Sequence, residues 1–363
     1  MKHIAVITTY PEDGTQNIGD QLITDSLISM LNEIDKNIRI TSFWREAPFE
    51  QIKHILHECD VIIFACLAIR PDFARKEYPY IKDIISLKKP IYIVSAGTAL
   101  DVSSISNLDD YLSDDSKYVL KILDEKSQHF GVRGMLSYKY LKDLGMKNIE
   151  LTGDIAFYSP LYRNKSFCVP DTVKNIVISD PHRGVAYKNA FVELISQIRT
   201  IFPKANLTVA LHGKNEIISE LCKSYDVPCK AIYEDKNAGL KIYDEADMHV
   251  GFRVHAHVST LKRRKVSYLL EQDGRGCDYG LTLPVKISVP CYQKLFANYN
   301  IKFFKDIITY RSKYTLKQAS INDVKILAAL IFSDFEQGFE KFSQLTSPID
   351  DFCIKISQAL DNV

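Results

Sequence analysis

Twice along this chain, short apolar runs alternate with segments of helical spacing, and that double alternation constrains the fold more than any other feature. "HIAVITT" reads as a buried strand, with Ile4, Ala5, Val6 and Ile7 contiguous between polar residues. "QLITDSLISML" follows with apolar residues at 22, 23, 27, 28, 30 and 31, the spacing of a helix over 20–32. Then come "IRITSF", a helix over 49–57, "DVIIFACLAI", "PIYIVSAGT", a helical region around 116–126, "HFGVRG", a helix over 136–144 and "IELTGD". This rhythm predicts a parallel sheet with helices on both faces. It breaks at "SPLYRNKSFCVPD", where two prolines and mixed charge mark a linker around 159–172.

The rhythm restarts with "NIVISD" and a helix over 188–201 that carries Phe191, Leu194, Ile195, Ile198 and Ile201 on one side. "NLTVALHG", a helix over 215–225, "CKAIYE", a helix near 236–246, "MHVGF", a helix from about 255 and "VSYLLE" complete a second unit, and two helices follow from about 322. The reading is an α/β chain of two Rossmann-like domains facing across a cleft, residues 1–160 and 172–300, with a C-terminal helical segment over 301–363.

Charge excludes some partners. The 46 Lys and Arg nearly cancel the 45 Asp and Glu, so no global field points to nucleic acid or anionic lipid. No apolar stretch approaches bilayer length, and "MKHIAVITTY" does not resemble a secretion signal. The eight cysteines lie singly without a CxxC pair, which suggests neither zinc nor a disulfide framework, and no other metal or cofactor is implied. These observations lead to the expectation of a cytoplasmic protein with no transmembrane segment.

Candidate site residues cluster where strands end. In an open α/β sheet, the carboxyl ends of the strands line the ligand crevice. "TTYPEDGTQNIGDQLITDSLISML" leaves the first strand through Asn17 and Gly19 and enters a helix at Asp20, which sits where an N-cap belongs. Gly19 allows a turn or close approach to a ligand. In "YDEADMHVGFRVHAHVSTL" a strand ends near Phe252: an extended continuation would put Arg253, His255 and His257 on one side, whereas a helix from about 255 puts Arg253 and His255 at its N-terminus and turns His257 away, and His257 is read as structural. Arg and His beside unpaired helix N–H groups form an anion site. His182 and Arg183 follow "NIVISD", His212 follows "LTVAL", and Glu271, Asp273 and Arg275 follow "VSYLL". Arg133 follows "HFGV", with Ser137 near the next helix start as a cap. The basic run "LKRRKVS" reads as a solvated helix end, with phosphate binding as the minority alternative. "SAGTAL" lacks the GxGxxG dinucleotide fingerprint.

Asn17-x-Gly19-Asp20, "GVRGMLSYKYLKDLGMKNIELTGD" and "ADMHVGFRVHAHV", in this order over about residues 4–290, resemble the polysaccharide pyruvyl transferase family. The resemblance implies a GT-B-like fold and transfer of a pyruvyl group from phosphoenolpyruvate, a co-substrate, to a sugar hydroxyl pair, forming a ketal in cell-surface polysaccharide synthesis. It implies His255, and less directly His212, as catalytic. Phosphoenolpyruvate needs two anion anchors, for which Arg253, Arg183, His182 and Arg275 are the donor-binding candidates on the second domain. Asn17, Gly19, Asp20, Arg133 and Glu271 are the acceptor-binding candidates, and a lipid-linked acceptor would bring peripheral membrane contact. "FACLAIRPDF" replaces the Gly-rich turn common after the third strand, and "LLEQDGRGCDYG" lacks the usual Lys, with Arg275 as its substitute. Two alternatives remain open: a nucleotide-sugar glycosyltransferase of the same shape, with Glu271 or Asp273 on ribose hydroxyls, or a non-catalytic sugar-binding relative.

Overall fold

A computed structural model describes residues 1–10, 18–100, 111–236, 238–291, 293–294, 317–318, 320–361 and 363. Its first domain holds β1 (Lys2–Thr8), α1 (Ile18–Ile34), β2 (Ile38–Trp44), α2 (Phe49–Glu58), β3 (Val61–Phe64), β4 (Ala68–Ile69), α3 (Phe73–Lys76), α4 (Ile81–Ser86), β5 (Ile91–Thr98), α5 (Asp114–Lys126), β6 (His129–Val132), α6 (Met135–Asp143) and β7 (Ile149–Leu151). The strands run parallel in the order β2-β1-β3-β5-β6-β7, with β4 beside the end of β5. Ile4 through Ile7 are all fully buried, because helices cover both faces of the sheet. Alternate residues feed different cores: Ala5 and Ile7 pack with Phe64, Ile93 and Leu120, while Ile4 and Val6 face Leu27 and Met30.

The second domain comprises β8 (Asn175–Ser179), α7 (Gly184–Ile201), β9 (Asn206–Leu211), α8 (Glu216–Ser224), β10 (Cys229–Ala231), α9 (Ile242–Glu245), β11 (Met248–Gly251), α10 (Val254–Lys262), β12 (Val266–Glu271), α11 (Gly274–Thr282) and β13 (Ser288–Pro290). Its parallel order is β10-β9-β8-β11-β12-β13. The strand order reverses between β1 and β3 in one sheet and between β8 and β11 in the other. Such switch points open the crevices in which α/β proteins bind ligands.

The segment between the sheets is stitched down rather than free. Phe167 packs in the shared core, and Cys168 donates its N–H to the Arg264 carbonyl at 2.7 Å. This corrects the reading of "LKRRKVS" as a solvated helix end. Arg264 is 3% exposed, pairs with Asp350 and donates to the Tyr162 carbonyl, and Arg263 pairs with Asp244. The run straps the linker, the second domain and the C-terminal helix together. Of the terminal helices, α12 (Ile321–Glu336) packs on α7, whereas α13 (Thr346–Leu360) returns to the first domain, where Phe352 meets Phe157. Among the described residues no helix is long and apolar enough to cross a membrane.

Candidate active site

On the second domain the site begins at the β8/β11 switch point. Asp180, the residue after β8, is fully buried, and Arg253, just before α10, lies over it. Arg253 Nε donates to Oδ1 at 2.9 Å and Nη2 to Oδ2 at 2.7 Å, so the guanidinium fork is filled. The His212 N–H and the Asn215 amide complete the carboxylate, each at 3.0 Å. Burial would raise the Asp180 pKa, but Arg253 outweighs it and holds the carboxyl below its ordinary range. Arg253 then offers one outward edge, Nη1, 3.1 Å from His182 Nδ1. Desolvation of the His182 ring and the adjacent Arg253 lower its pKa to about 4, so the imidazole is neutral at pH 7.

His255 projects from the first turn of α10 onto the first domain. The backbone of Gly19, at the start of α1, lies so close that a β-carbon there would overlap the imidazole. Burial holds the His255 pKa well below 6.5, and Arg133, Arg275, His212 and Arg253 push the same way. Asp20, in the first turn of α1, responds oppositely: burial raises its carboxyl, against the pull of Arg45, Arg275, Arg70 and Arg133. Four arginines from two domains therefore act on a single carboxyl beside a neutral histidine.

Arg133, at the end of β6, is 7% exposed and rests on the bare backbone of Gly97. Its Nη2 donates to the Thr98 carbonyl at 3.1 Å, while its Nε has no hydrogen-bond partner among the described residues and lies 3.7 Å from Asp278. Asp278 is occupied elsewhere. It caps α6 from across the cleft, accepting the Ser137 N–H at 3.1 Å and the Ser137 hydroxyl at 2.6 Å. Thr282 accepts the Met135 N–H at 2.8 Å, and the Tyr279 hydroxyl donates to Asp154. Helix α11 thus supplies the N-terminal cap that Gly134 cannot provide.

The structure brings together His255, Gly19, Asp20, Arg133, Arg275, Arg253 and His182. Arg183 is the N-cap residue of α7 beside them, and it helps to lower Asp273. Arg275 is bidentate on Asp273, with Nη2–Oδ2 at 2.7 Å. Asn17 lies outside the described residues. Two expectations need correction. Glu271 is 2% exposed, bonds Ser288 at 2.6 Å beneath α11 and does not reach the cleft. His212 is buried behind Asp180, bonded to the Tyr243 hydroxyl at 2.6 Å and lowered to about 3 by burial and Arg253, so it touches no ligand space. His257 is buried against Ser267 as a structural residue. Sequence reasoning missed Asp180, Asp278, Tyr279 and helix α11 itself. Asp180 alone had a signal, a carboxylate ending an apolar strand in "NIVISD". Among the described residues, no group of three or more His, Cys, Asp or Glu side chains is placed to hold a metal ion.

With this geometry in hand, comparisons place the chain. A family model described as polysaccharide pyruvyl transferase matches residues 17–262. No curated protein matches significantly. Among solved structures, the chain is similar to UDP-GlcNAc 2-epimerase from Neisseria meningitidis bound to UDP-GlcNAc, with 11% identity, 100% of each chain covered and a TM-score of 0.53. It is also similar to a UDP-N-acetylglucosamine 2-epimerase structure from Listeria monocytogenes, at 9% identity over 99% of this chain and 94% of that one, TM-score 0.53. The S. aureus MnaA–UDP structure matches at 9% identity over 96% and 92%, TM-score 0.51. At these identities the likeness shows the fold alone: two Rossmann-like domains across a cleft, GT-B-like, with C-terminal helices, as the sequence predicts.

Proposed function

The chain belongs to the polysaccharide pyruvyl transferase family, and from that premise we propose that it transfers a pyruvyl group from phosphoenolpyruvate to two hydroxyls of a sugar, forming a ketal in cell-surface polysaccharide synthesis. One observation carries this reading: Arg133, Arg275 and Arg253, from both domains, all act on His255, and the buried Arg133 Nε has no hydrogen-bond partner among the described residues. A donor with a carboxylate and a phosphate on adjacent atoms suits cations arranged on two sides. In this reading Arg133 joins the donor site rather than the acceptor side. Arg253 contributes its outward edge and charge, and the first turn of α10 contributes N–H groups.

The net reaction joins phosphoenolpyruvate and a diol to give the ketal and inorganic phosphate. The donor methylene takes a proton and becomes the methyl group. One sugar oxygen bonds to the central carbon and a second closes the ring, while the carbon–oxygen bond to phosphate breaks. Of the two hydroxyl protons released, one balances that taken by the methylene and the other leaves on phosphate. His255 is the proton donor and Asp20 the group nearest an acceptor hydroxyl. A positioned acid of this kind contributes ~10²–10⁴-fold. Burial, together with the surrounding arginines, holds His255 neutral, and it gains its proton when the donor's negative charges offset those arginines.

Calorimetric titration with phosphoenolpyruvate in two buffers of different ionisation enthalpy tests this. The expected result is micromolar-to-millimolar binding with proton uptake at pH 7. Binding of UDP-GlcNAc, with none of phosphoenolpyruvate, would overturn the reading. The nucleotide-sugar alternative has lost its acidic ribose partners: Glu271 is interior and Asp273 is committed to Arg275.

A further inference from the structure

Behind the β8/β11 switch point lies a line of buried polar groups that the proposed chemistry does not use. Ser179, His249, Ser267 and His257 are all fully buried. The Ser179 hydroxyl oxygen accepts the N–H groups of Phe252 and Arg253, each at 3.0 Å. Its lone pairs are then filled, so its proton goes to His249 Nε2, 2.9 Å away. His249 is therefore neutral with its hydrogen on Nδ1, which donates to Ser267 Oγ at 2.8 Å. Ser267 in turn donates to His257 Nδ1 at 2.8 Å, leaving the His257 hydrogen on Nε2, which has no partner among the described residues. Every donor in the line has one possible direction.

We infer that His249 is a positioning residue for the anion site: through Ser179 it fixes the backbone of residues 252 and 253 and so aims Arg253 and the first turn of α10 at the cleft. The inference rests on the donor reading above. Residues 252 and 253 bridge β11 and α10; the Phe252 N–H also reaches the Ser179 main-chain carbonyl at 3.3 Å, whereas among the described residues the Ser179 hydroxyl is the acceptor that holds the Arg253 N–H. If Ser179 turned its proton toward them, it would offer one acceptor fewer and the junction would loosen. The groups facing His249 are Ser179, Ser267, His257, His212 and the Tyr243 ring, whose centroid is 5.7 Å away. Burial first, then His257 and His212, hold its pKa well below 6.5, which keeps it the acceptor that Ser179 requires.

Three readouts on the full chain test this. Imidazole ¹⁵N NMR at pH 7 should show His249 protonated on Nδ1 and bare on Nε2; the opposite tautomer overturns the inference. His249→Phe and Ser179→Ala should bind phosphoenolpyruvate about tenfold more weakly, equivalent to ~1.4 kcal/mol, with faster amide exchange at residues 252 and 253. His249→Gln, whose amide can accept from Ser179 and donate to Ser267, should recover most of that affinity. A folded His249→Phe with wild-type affinity and exchange sinks the inference, as does a His249→Gln no better than His249→Phe. If wild type binds no phosphoenolpyruvate, the donor reading has failed, and the tautomer and the exchange at 252 and 253 still decide whether His249 sets this junction.

Discussion

Arg253 and Arg133 follow strands of the two sheets and both lower the pKa of one histidine, His255, yet they are held in opposite ways. Arg253 has its fork filled by Asp180 at 2.7 and 2.9 Å, on a carboxylate with no exposure. Arg133 has one donor on a carbonyl, a guanidinium 6.0 Å over the Tyr279 ring, and an Nε with no hydrogen-bond partner among the described residues. The nearest carboxylate, Asp278, is spent on capping α6. The contrast separates two jobs. An arginine with its fork satisfied by a buried acid is part of the scaffold and lends an edge and a charge. An arginine buried without enough acceptors has donors left for a ligand, the role proposed above for Arg133.

The largest expected effect is on the scaffold side. Arg253→Ala leaves the Asp180 carboxylate buried and unpaired, and should cost ~3–5 kcal/mol in urea unfolding. Arg133→Met should cost under about 1.5 kcal/mol, since Asp278 keeps its bonds to Ser137. Equal losses would break the comparison. Acid sharpens it next. His212 and His257 have folded pKa values of about 3 against 6.5 unfolded. Their contribution is present above pH 6.5 and is lost as pH falls toward 3, so at pH 5 each destabilises by ~2 kcal/mol relative to pH 7. His212→Gln should remove about 2 kcal/mol of the pH dependence between melts at pH 5 and 7, while the other buried neutral histidines, His182, His249, His255 and His257, keep theirs. An unchanged profile would mean His212 is not held neutral.

A smaller effect is expected at the contact joining the two sides. Gly19→Ala must displace His255 or α1, at ~1–3 kcal/mol, and should reduce proton uptake on phosphoenolpyruvate binding. The smallest is at Glu271, whose carboxyl burial raises and which lies outside the cleft. Glu271→Gln should leave affinity within twofold by calorimetry, and a larger change would return it to the site.

Much of the fold was legible because buried parallel strands are contiguous apolar runs. Strand β12 spans the residues of "VSYLLE", and α10 starts one residue before its expected position. Helix α11 was not legible, because "GRGCDYG" has three glycines and low helix propensity. Its N-cap, where Asp273 accepts the Arg275 N–H at 3.0 Å, and its packing against α6 override that propensity. The helix near 236–246 shrank to Ile242–Glu245 behind a 3₁₀ turn at Gly239–Lys241. In the candidate site, strand-end reasoning pointed to Arg253, His255, Arg133 and Asp20, which the fold places together. What local pattern cannot carry is pairing across long separations. Asp180 meets Arg253 73 residues away, and Asp278 caps Ser137 across 141 residues. Glu271 misled because a strand-end carboxylate looks the same in sequence whether it faces the crevice or folds beneath a helix. Local alternation writes the scaffold, and tertiary pairing decides which of its charges remain to be completed.

The most direct measurement is the phosphoenolpyruvate affinity of wild type, Arg133→Met and Arg253→Lys by calorimetry, with a thermal melt of each. The account predicts that Arg133→Met loses at least about 100-fold in affinity, the scale of a buried charge-assisted hydrogen-bond pair, with its melting temperature nearly unchanged. Arg253→Lys should lose less affinity and more stability. A stable Arg133→Met that binds phosphoenolpyruvate as tightly as wild type would contradict it.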